Sequence, residues 1–291
     1  VDRDMPMQHE LTGRATARRE TETVHDVVKA HLQELEKDFA GKGAETSAKL
    51  KAVLAKLLNQ NAVTVMVTAE EAQIPATKKN IAIFISKFPA NFPEKKLSVR
   101  CEAKNEGLMT SGQIQYVAKV GRYRRPYRGS MEVLGKILSM DYLWTNIRVK
   151  GGAYGSTQRI TRSGFAGMAS YRDPNLRESL AVYDAAGPAM QSFECSEREL
   201  LKYIIGTISD LQSPLTPAMK GSVAFRRFIS GTDAEYVQRI WDEVLATTPE
   251  QLREDAALLS EAMEEGTVCV LGCRERILSE KELFDVTLDV M

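Results

Sequence analysis

Apolar and polar positions alternate with helical period at the start of the chain. Residues 23–39 place their apolar side chains on one face, and AGKG at 40–43 predicts the end of that helix. Residues 50–58 repeat the helical spacing and predict a second helix. The β-branched run at 62–71 predicts a strand, and 75–88 predicts a short apolar helix. The first third of the chain therefore mixes helices with one strand.

A segment with two prolines at 88–96 predicts a linker, and the pattern beyond it changes. Ser163-Gly164 is typical of a hairpin turn between strands at 154–162 and 165–171. Further strands are predicted at 97–103, 112–121 and 266–275; helices are predicted at 130–148, 172–193, 196–211, 232–263 (as one or two) and 279–291.

An internal echo suggests the domain organisation. Residues 49–88 and 251–290 share one order, namely an amphipathic helix, a Val-rich strand, a charged turn and a short apolar helix. We predict repeated α/β domains of the two-layer α+β type, each a mostly antiparallel sheet with helices packed on one face. Residues 1–95 would be the tail of one such domain, with 1–22 unassigned, and residues 96–291 a complete second one.

Composition and charge narrow the classes of partner. Lys plus Arg and Asp plus Glu both number 39, so a zero formal charge predicts neither nucleic acid nor an anionic membrane as partner. No stretch approaches the roughly 20 apolar residues of a membrane span. Arg122, Arg124, Arg125 and Arg128 form a local basic cluster, which fits either an acidic ligand or solvated loop arginines.

The reactive residue types exclude several kinds of site. Cys269 and Cys273 share one strand face without a second cysteine pair, so we predict thiols in a reducing compartment. The only histidines are His9, His25 and His31, and neither H-E-x-x-H nor H-x-x-E-H occurs, so the chain cannot build a zinc site of that kind. G-x-S-x-G and phosphate-loop patterns are also absent.

One segment remains unexplained by these patterns. Arg148 precedes the pair Gly151-Gly152, and Tyr154 follows it. On the residues alone, the glycines could simply stop a helix and Arg148 could be a surface residue. However, YLWTNIRVKGGAYG and SYRDPNL, with GQIQYVAKVG upstream, resemble the carboxy-terminal domain of presequence proteases. These are inverted zinc peptidases, in the family of insulin-degrading enzyme and pitrilysin. The resemblance covers residues 100–291 and, more weakly, 24–88.

The resemblance implies a four-domain architecture in which only one domain binds the metal. Family members are chains of four similar domains in two bowl-shaped halves, with zinc held in the first domain by H-x-x-E-H and a distant Glu. This chain would be the end of the third domain and the whole fourth domain. Its helix at 130–148 contains no His, so neither a metal ligand nor a catalytic base is expected in this chain.

The resemblance also assigns roles to the residues around the glycine pair. Arg148 and Tyr154 would donate to the substrate carbonyl near the metal, and such donors stabilise a developing oxyanion more than the ground state. Gly151 and Gly152 would form the supporting turn. From the residues alone, Asp173-Pro174 predicts a helix start, and Arg172 could pair locally with Asp173 or Glu178. We predict that this segment supports the hairpin, with direct substrate contact as the alternative.

We therefore expect the carboxy-terminal, substrate-binding part of a zinc metalloendopeptidase that degrades short unstructured peptides. Zinc would be bound outside this chain, which alone would be inactive. Its partners would be the amino-terminal half of the same enzyme and peptide substrates, in the cytoplasm or an organelle matrix. Two alternatives stay open: a non-catalytic scaffold or regulatory subunit with the same fold, and a stand-alone peptide-binding module.

Overall fold

A computed structural model describes residues 32–61, 63–90 and 103–290, and the chain divides into two compact units. The larger unit contains described residues 103–213 and 234–290, whereas the smaller contains those from 32 to 90 together with 214–233. The predicted boundary at 95/96, most of the linker and the strand at 97–103, and residues 1–22 lie outside the described residues.

Nine α-helices and one π-helix have bounds within the described residues. In chain order they are α1 (Phe39–Leu57), α2 (Ile74–Ile85), α3 (Ser130–Ile137), the π-helix (Leu138–Lys150), α4 (Arg177–Gln191), α5 (Glu197–Leu211), α6 (Pro217–Ser230), α7 (Ala234–Leu245), α8 (Pro249–Glu264) and α9 (Arg274–Ser279). Short 3₁₀ turns lie at Glu71–Gln73 and Lys281–Leu283.

The larger unit is built on one mixed sheet of six strands. They are β1 (Glu106–Thr110), β2 (Gln115–Arg122), β3 (Gly155–Thr161), β4 (Phe165–Asp173), β5 (Thr267–Cys273) and β6 (Val286–Asp289). Their spatial order is β3-β4-β2-β5-β1-β6. β1 is parallel to both β5 and β6, and the other three pairs are antiparallel. The predicted mostly antiparallel α/β architecture is confirmed.

The core lies between the sheet and the helices. Val117, Met168 and Val270 point to the helical layer and join its main apolar cluster. Ala118 and Cys269, one position away along their strands, belong to a smaller cluster formed by strand residues and the chain end after β6. Alternate residues of a strand face opposite sides of the sheet, so this division follows from the register. The helices therefore cover one face, as predicted.

Helix starts are specified by side-chain caps. Ser196 and Thr248 each form a capping box with the residue three positions later, Glu199 and Gln251. Pro249 follows Thr248 at the first helical position, where its missing N–H has no intrahelical acceptor to lose. Residues 232–263, predicted as one or two helices, accordingly form two, α7 and α8.

The predictions at 40–43 and 62–71 in the smaller unit were wrong. AGKG lies in the first turn of α1, because the Asp38 carboxylate accepts a hydrogen bond from the Gly41 N–H at 3.0 Å and caps a helix there. Residues 63–70 form no strand, and Val65 is 46% exposed. An alternating pattern makes a strand only when a neighbour supplies ladder hydrogen bonds, and no described strand pairs with this segment.

The predicted terminal helix at 279–291 was also wrong. The chain leaves α9, makes a 3₁₀ turn and ends in β6, which pairs with β1. β1 and α6 were not predicted at all. The five-residue run of β1 is too short to distinguish helix from strand, whereas α6 carries a Thr216 cap, a Pro217 start and a Gly231 end that could have identified it. The internal echo is consequently not reproduced element by element.

The basic cluster is engaged within the protein. Arg124 pairs with Glu265 at 3.2 Å, and Arg128 binds the buried Asp255 carboxylate. Asp255 and Glu265 lie in or directly after α8, so these arginines attach the loop before α3 to that helix. The side chains of Arg124 and Arg125 remain 70% and 46% exposed, as expected for solvated loop arginines, whereas Arg128 is held by a buried carboxylate.

Cys269 is buried, whereas Cys195 and Cys273 are half-buried; Cys101 lies outside the described residues. Among the helices that the structure describes, none has the length and apolar content to cross a bilayer.

Candidate functional site

The π-helix holds Arg148 at the surface of the larger unit. Leu143 and Ile147 are buried on its inner side. The Tyr142 hydroxyl donates to the Val182 carbonyl of α4 at 2.7 Å. Burial raises the pKa of Tyr142 to about 12, so this donor keeps its proton at neutral pH. These contacts fix the inner side of the helix and leave Arg148 exposed on the outer side.

Arg148 stacks on an aromatic ring of the same helix. Its guanidinium carbon lies 4.2 Å from the ring centre of Trp144, which is 46% exposed. Such a cation–π contact contributes about 0.5–1 kcal/mol at exposed sites. Arg148 forms no ion pair with any described residue. The stacking therefore restrains the side chain while its N–H donors stay available.

Gly151 and Gly152 end the π-helix and turn the chain into β3. Gly152 has φ +77, and its N–H donates to the Arg148 carbonyl at 3.0 Å. A Cβ on Gly151 would lie 2.6 Å from the Ile147 carbonyl oxygen. Asn175 closes the turn by donating its side-chain amide to the Gly151 carbonyl at 2.5 Å. The pair is thus a helix stop whose geometry places Tyr154 next to the helix end; its role in a reaction stays a prediction.

Tyr154 lies beside Arg148 on the exposed surface. The Arg148 guanidinium carbon is 5.9 Å from the Tyr154 ring centre, and Tyr154 is 56% exposed. Its backbone N–H donates to the Arg172 carbonyl at 3.3 Å, and its ring centre is 5.5 Å from that of Tyr171. No described residue is a hydrogen-bond partner of the Tyr154 hydroxyl. The structure therefore brings together the two side chains that the sequence singled out.

The predicted local pairing of Arg172 was wrong. Asp173 is fully buried and accepts hydrogen bonds from the Asn175 N–H at 2.9 Å and the Ser179 hydroxyl at 2.7 Å. Glu178 instead pairs with Arg276 at 3.6 Å. Arg172 has φ 48 and its guanidinium carbon lies 5.3 Å from the Tyr154 ring centre. The left-handed backbone turns Arg172 away from the acids around it and into the candidate site.

Sequence reasoning missed three members of this surface. Trp144 could have been found from its spacing, because residues four apart on a helix share a face. For Arg172 the sequence favoured structural support over substrate contact, and it gave Tyr171 no role of its own, because the irregular backbone at these residues leaves no clear mark in the pattern.

Chemically, the surface is a set of hydrogen-bond donors. Guanidinium groups and a phenol suit an acceptor such as a peptide carbonyl oxygen or a carboxylate. No three His, Cys, Asp or Glu side chains among the described residues are placed to hold a metal ion, and the three histidines lie outside those residues.

We expect Gly152→Ala to lower the free energy of unfolding by about 1–2 kcal/mol, because φ +77 is unfavourable for a residue with a Cβ. Gly231→Ala is the matched control, since Gly231 ends α6 with φ 61 and has open space around it. Urea unfolding should show similar losses for both variants. Only Gly152→Ala should also slow peptide cleavage by a full-length protein containing this chain; equal cleavage by the two variants would contradict a role for this turn.

Comparison with known proteins places this surface in a family. The model of the PreP C-terminal domain matches residues 105–273, which include the π-helix, the glycine turn and the β3–β4 hairpin. Protein HypA of Clostridium perfringens is 36% identical over 248 residues, covering 84% of this chain and 26% of that protein. Presequence protease 1, chloroplastic/mitochondrial, of Arabidopsis thaliana is 32% identical over 253 residues, covering 84% and 23%. The chain thus spans about a quarter of these relatives' length.

Solved structures share the fold. Pitrilysin matches with a TM-score of 0.50 and 13% identity, over 70% of this chain and 23% of that chain. The inactive domain of a peptidase M16 from Pseudomonas fluorescens matches with a TM-score of 0.50 and 16% identity, over 68% and 51%. These structures share the fold only; the family model matches more than half of the sequence, so the chain belongs to the presequence-protease (PreP) C-terminal domain family.

Proposed function

We propose that the chain is the carboxy-terminal, substrate-binding part of a zinc metalloendopeptidase that degrades short unstructured peptides. Family membership and a relative named as a presequence protease support the reaction class. The observation that carries the proposal is the exposed pairing of Arg148 and Tyr154, with 5.9 Å between guanidinium carbon and ring centre. Neither residue is engaged by an acceptor side chain among the described residues.

In this proposal the two side chains act on the scissile carbonyl. The Arg148 guanidinium and the Tyr154 hydroxyl donate hydrogen bonds to its oxygen, on which negative charge grows as the carbon becomes tetrahedral. The bonds therefore strengthen on the way to the transition state and raise the rate, not only the affinity. Trp144 and the glycine turn hold both donors in place beforehand, which reduces the reorganisation needed during the reaction.

Zinc belongs to the other half of the enzyme in this proposal. When bound there, it would polarise the carbonyl and activate the attacking water. The described residues of this chain provide no fitting ligand group, so no metal-dependent step is assigned to them.

The division of labour is tested by comparing the 291-residue chain with a longer protein that carries it. We expect the chain alone, with zinc added, to leave a labelled unstructured peptide intact, because it lacks the metal site and the base. The longer protein should cleave the peptide and lose that activity on treatment with a chelator. Mass spectrometry of the products measures peptide cleavage by the chain alone and by the longer protein. Zinc-dependent cleavage by the chain alone would contradict the proposal, and a longer protein without activity would favour a non-catalytic scaffold instead.

A further inference from the structure

Arg172 lies in an irregularity of β4. Gln115 of β2 pairs with Asp173, whereas Val117 pairs with Ser170. Two residues of β4, Tyr171 and Arg172, therefore lie opposite the single residue between Gln115 and Val117, which defines a β-bulge. Bulges bend a strand and redirect its side chains, and they are frequent beside active sites.

The backbone at this bulge is suited to glycine, yet it carries arginine. Arg172, with φ 48, is the one non-glycine residue with positive φ among those that the structure describes. Such a conformation costs free energy for a residue with a side chain and persists where its surroundings hold it. Here the next residue, Asp173, is buried and hydrogen-bonded to Asn175 and Ser179. The backbone conformation would favour glycine at position 172, so it does not account for the arginine.

The redirected side chain adds a second cation to the candidate site. The guanidinium carbons of Arg172 and Arg148 lie 5.3 Å and 5.9 Å from the centre of the same Tyr154 ring. Arg172 is exposed, and neither arginine forms an ion pair with a described residue. A neutral carbonyl oxygen needs donors but not two full positive charges. Two guanidinium groups near one phenol instead favour an anionic group, and guanidinium matches a carboxylate in a bidentate fashion.

We propose that Arg172 is a specificity-determining residue that binds a carboxylate of the peptide, next to the carbonyl held by Arg148 and Tyr154. This inference rests on the proposed peptidase function and adds a preference to it. The carboxylate can come from an acidic side chain or from the free carboxy terminus of the peptide, and the chemistry of recognition is the same.

The test measures kcat/KM of a full-length protein on matched peptides. The reference peptide is neutral and carboxy-terminally amidated. One series replaces single Gln residues on either side of the cleaved bond with Glu, and another peptide keeps Gln but has a free terminal carboxylate. We expect wild type to prefer at least one carboxylate peptide over the reference by about tenfold, as for a charge-assisted hydrogen bond. The series that shows the preference identifies the source of the carboxylate.

Three variants separate Arg172 from general effects. Arg172→Gly should abolish the roughly tenfold preference in kcat/KM for the carboxylate peptide. The variant should unfold at the same or a higher urea concentration than wild type, because glycine relieves the backbone strain. Arg172→Lys should retain part of the preference, since it keeps the charge but not the fork. Arg122→Ala is the matched control, because Arg122 is an exposed arginine that also stacks on an aromatic ring, the half-buried Phe165, at the opposite end of the β2–β4 ladder. This variant should keep the full preference.

Two results would overturn the inference: wild type that does not distinguish the peptides, or Arg172→Gly with the wild-type preference. If Arg148→Ala still slows every peptide in that case, only the role of Arg172 fails. If both Arg148→Ala and Arg172→Gly cleave every peptide like wild type, the proposed function of this surface fails as well.

Discussion

Arg148→Ala in a full-length protein is expected to lower kcat/KM for peptide cleavage by about a hundredfold or more, the usual effect of losing one oxyanion donor. The loss should fall mainly on kcat, because the hydrogen bond from the guanidinium to the carbonyl oxygen is strongest in the transition state. Steady-state kinetics with a quenched-fluorescent peptide measure both constants. The folded state should be almost unchanged, since Arg148 is exposed and its described side-chain contacts are with the Trp144 and Tyr154 rings.

Companion variants sharpen this prediction. Arg148→Lys should recover only part of the rate, because an ammonium group lacks the planar fork of donors. Tyr154→Phe removes the second donor, and the double variant should lose less than the product of the single losses, since both act on one oxygen. Arg122→Ala should cleave like wild type. A rate within twofold of wild type for Arg148→Ala would remove Arg148 from the mechanism.

Asp255→Ala is expected to destabilise the larger unit by about 3 kcal/mol, the lower end of the range for breaking a buried ion pair. Asp255 is fully buried on α8 and accepts hydrogen bonds from the Ser130 hydroxyl at 2.5 Å and from the Arg128 guanidinium. Its removal leaves both donors without this acceptor at the start of α3, the helix that continues into the π-helix. The Arg128 side chain is 39% exposed, so water can solvate it in part and limit the loss.

Asp184→Ala is the matched control for this prediction. Asp184 accepts from Lys119 at 2.6 Å, but its side chain is 50% exposed, and exposed pairs contribute about 0–1 kcal/mol. Urea unfolding of the 291-residue chain, followed by circular dichroism, should therefore separate the two variants clearly. Similar midpoints for Asp255→Ala and Asp184→Ala would show that the buried network does not stabilise this unit as described.

The parts of the fold that could be predicted are those with strong local signals. The β3–β4 hairpin was readable from Ser163-Gly164, and Gly164 indeed has φ +82. The helix at 130–148 and the strand at 266–275 were readable from long or β-branched apolar runs. β6 was not, because Val286 and Leu288 alternate over only four residues, and such short segments take their structure from a partner strand. Residues 63–71 fail for the converse reason: they have the alternating pattern, but none of the described strands pairs with them.

In the candidate site, too, the sequence could identify some residues and not others. Arg148 and Tyr154 came from a motif, and the geometry then showed that a helix end and a glycine turn bring them together. Arg172 could not be assigned from the sequence, because its direction depends on a bulge set by the register between β2 and β4. Pairing between strands that are distant in the sequence determines where a bulge forms, and a local sequence pattern carries no information about that pairing.

The proposed function requires Arg148 and Tyr154 to contact the scissile carbonyl of a peptide. A structure of a full-length protein with a peptide trapped by replacing the catalytic base tests it most directly. We expect the Arg148 guanidinium and the Tyr154 hydroxyl both to lie within about 3.2 Å of that carbonyl oxygen. A bound peptide whose scissile carbonyl contacts neither side chain would contradict it.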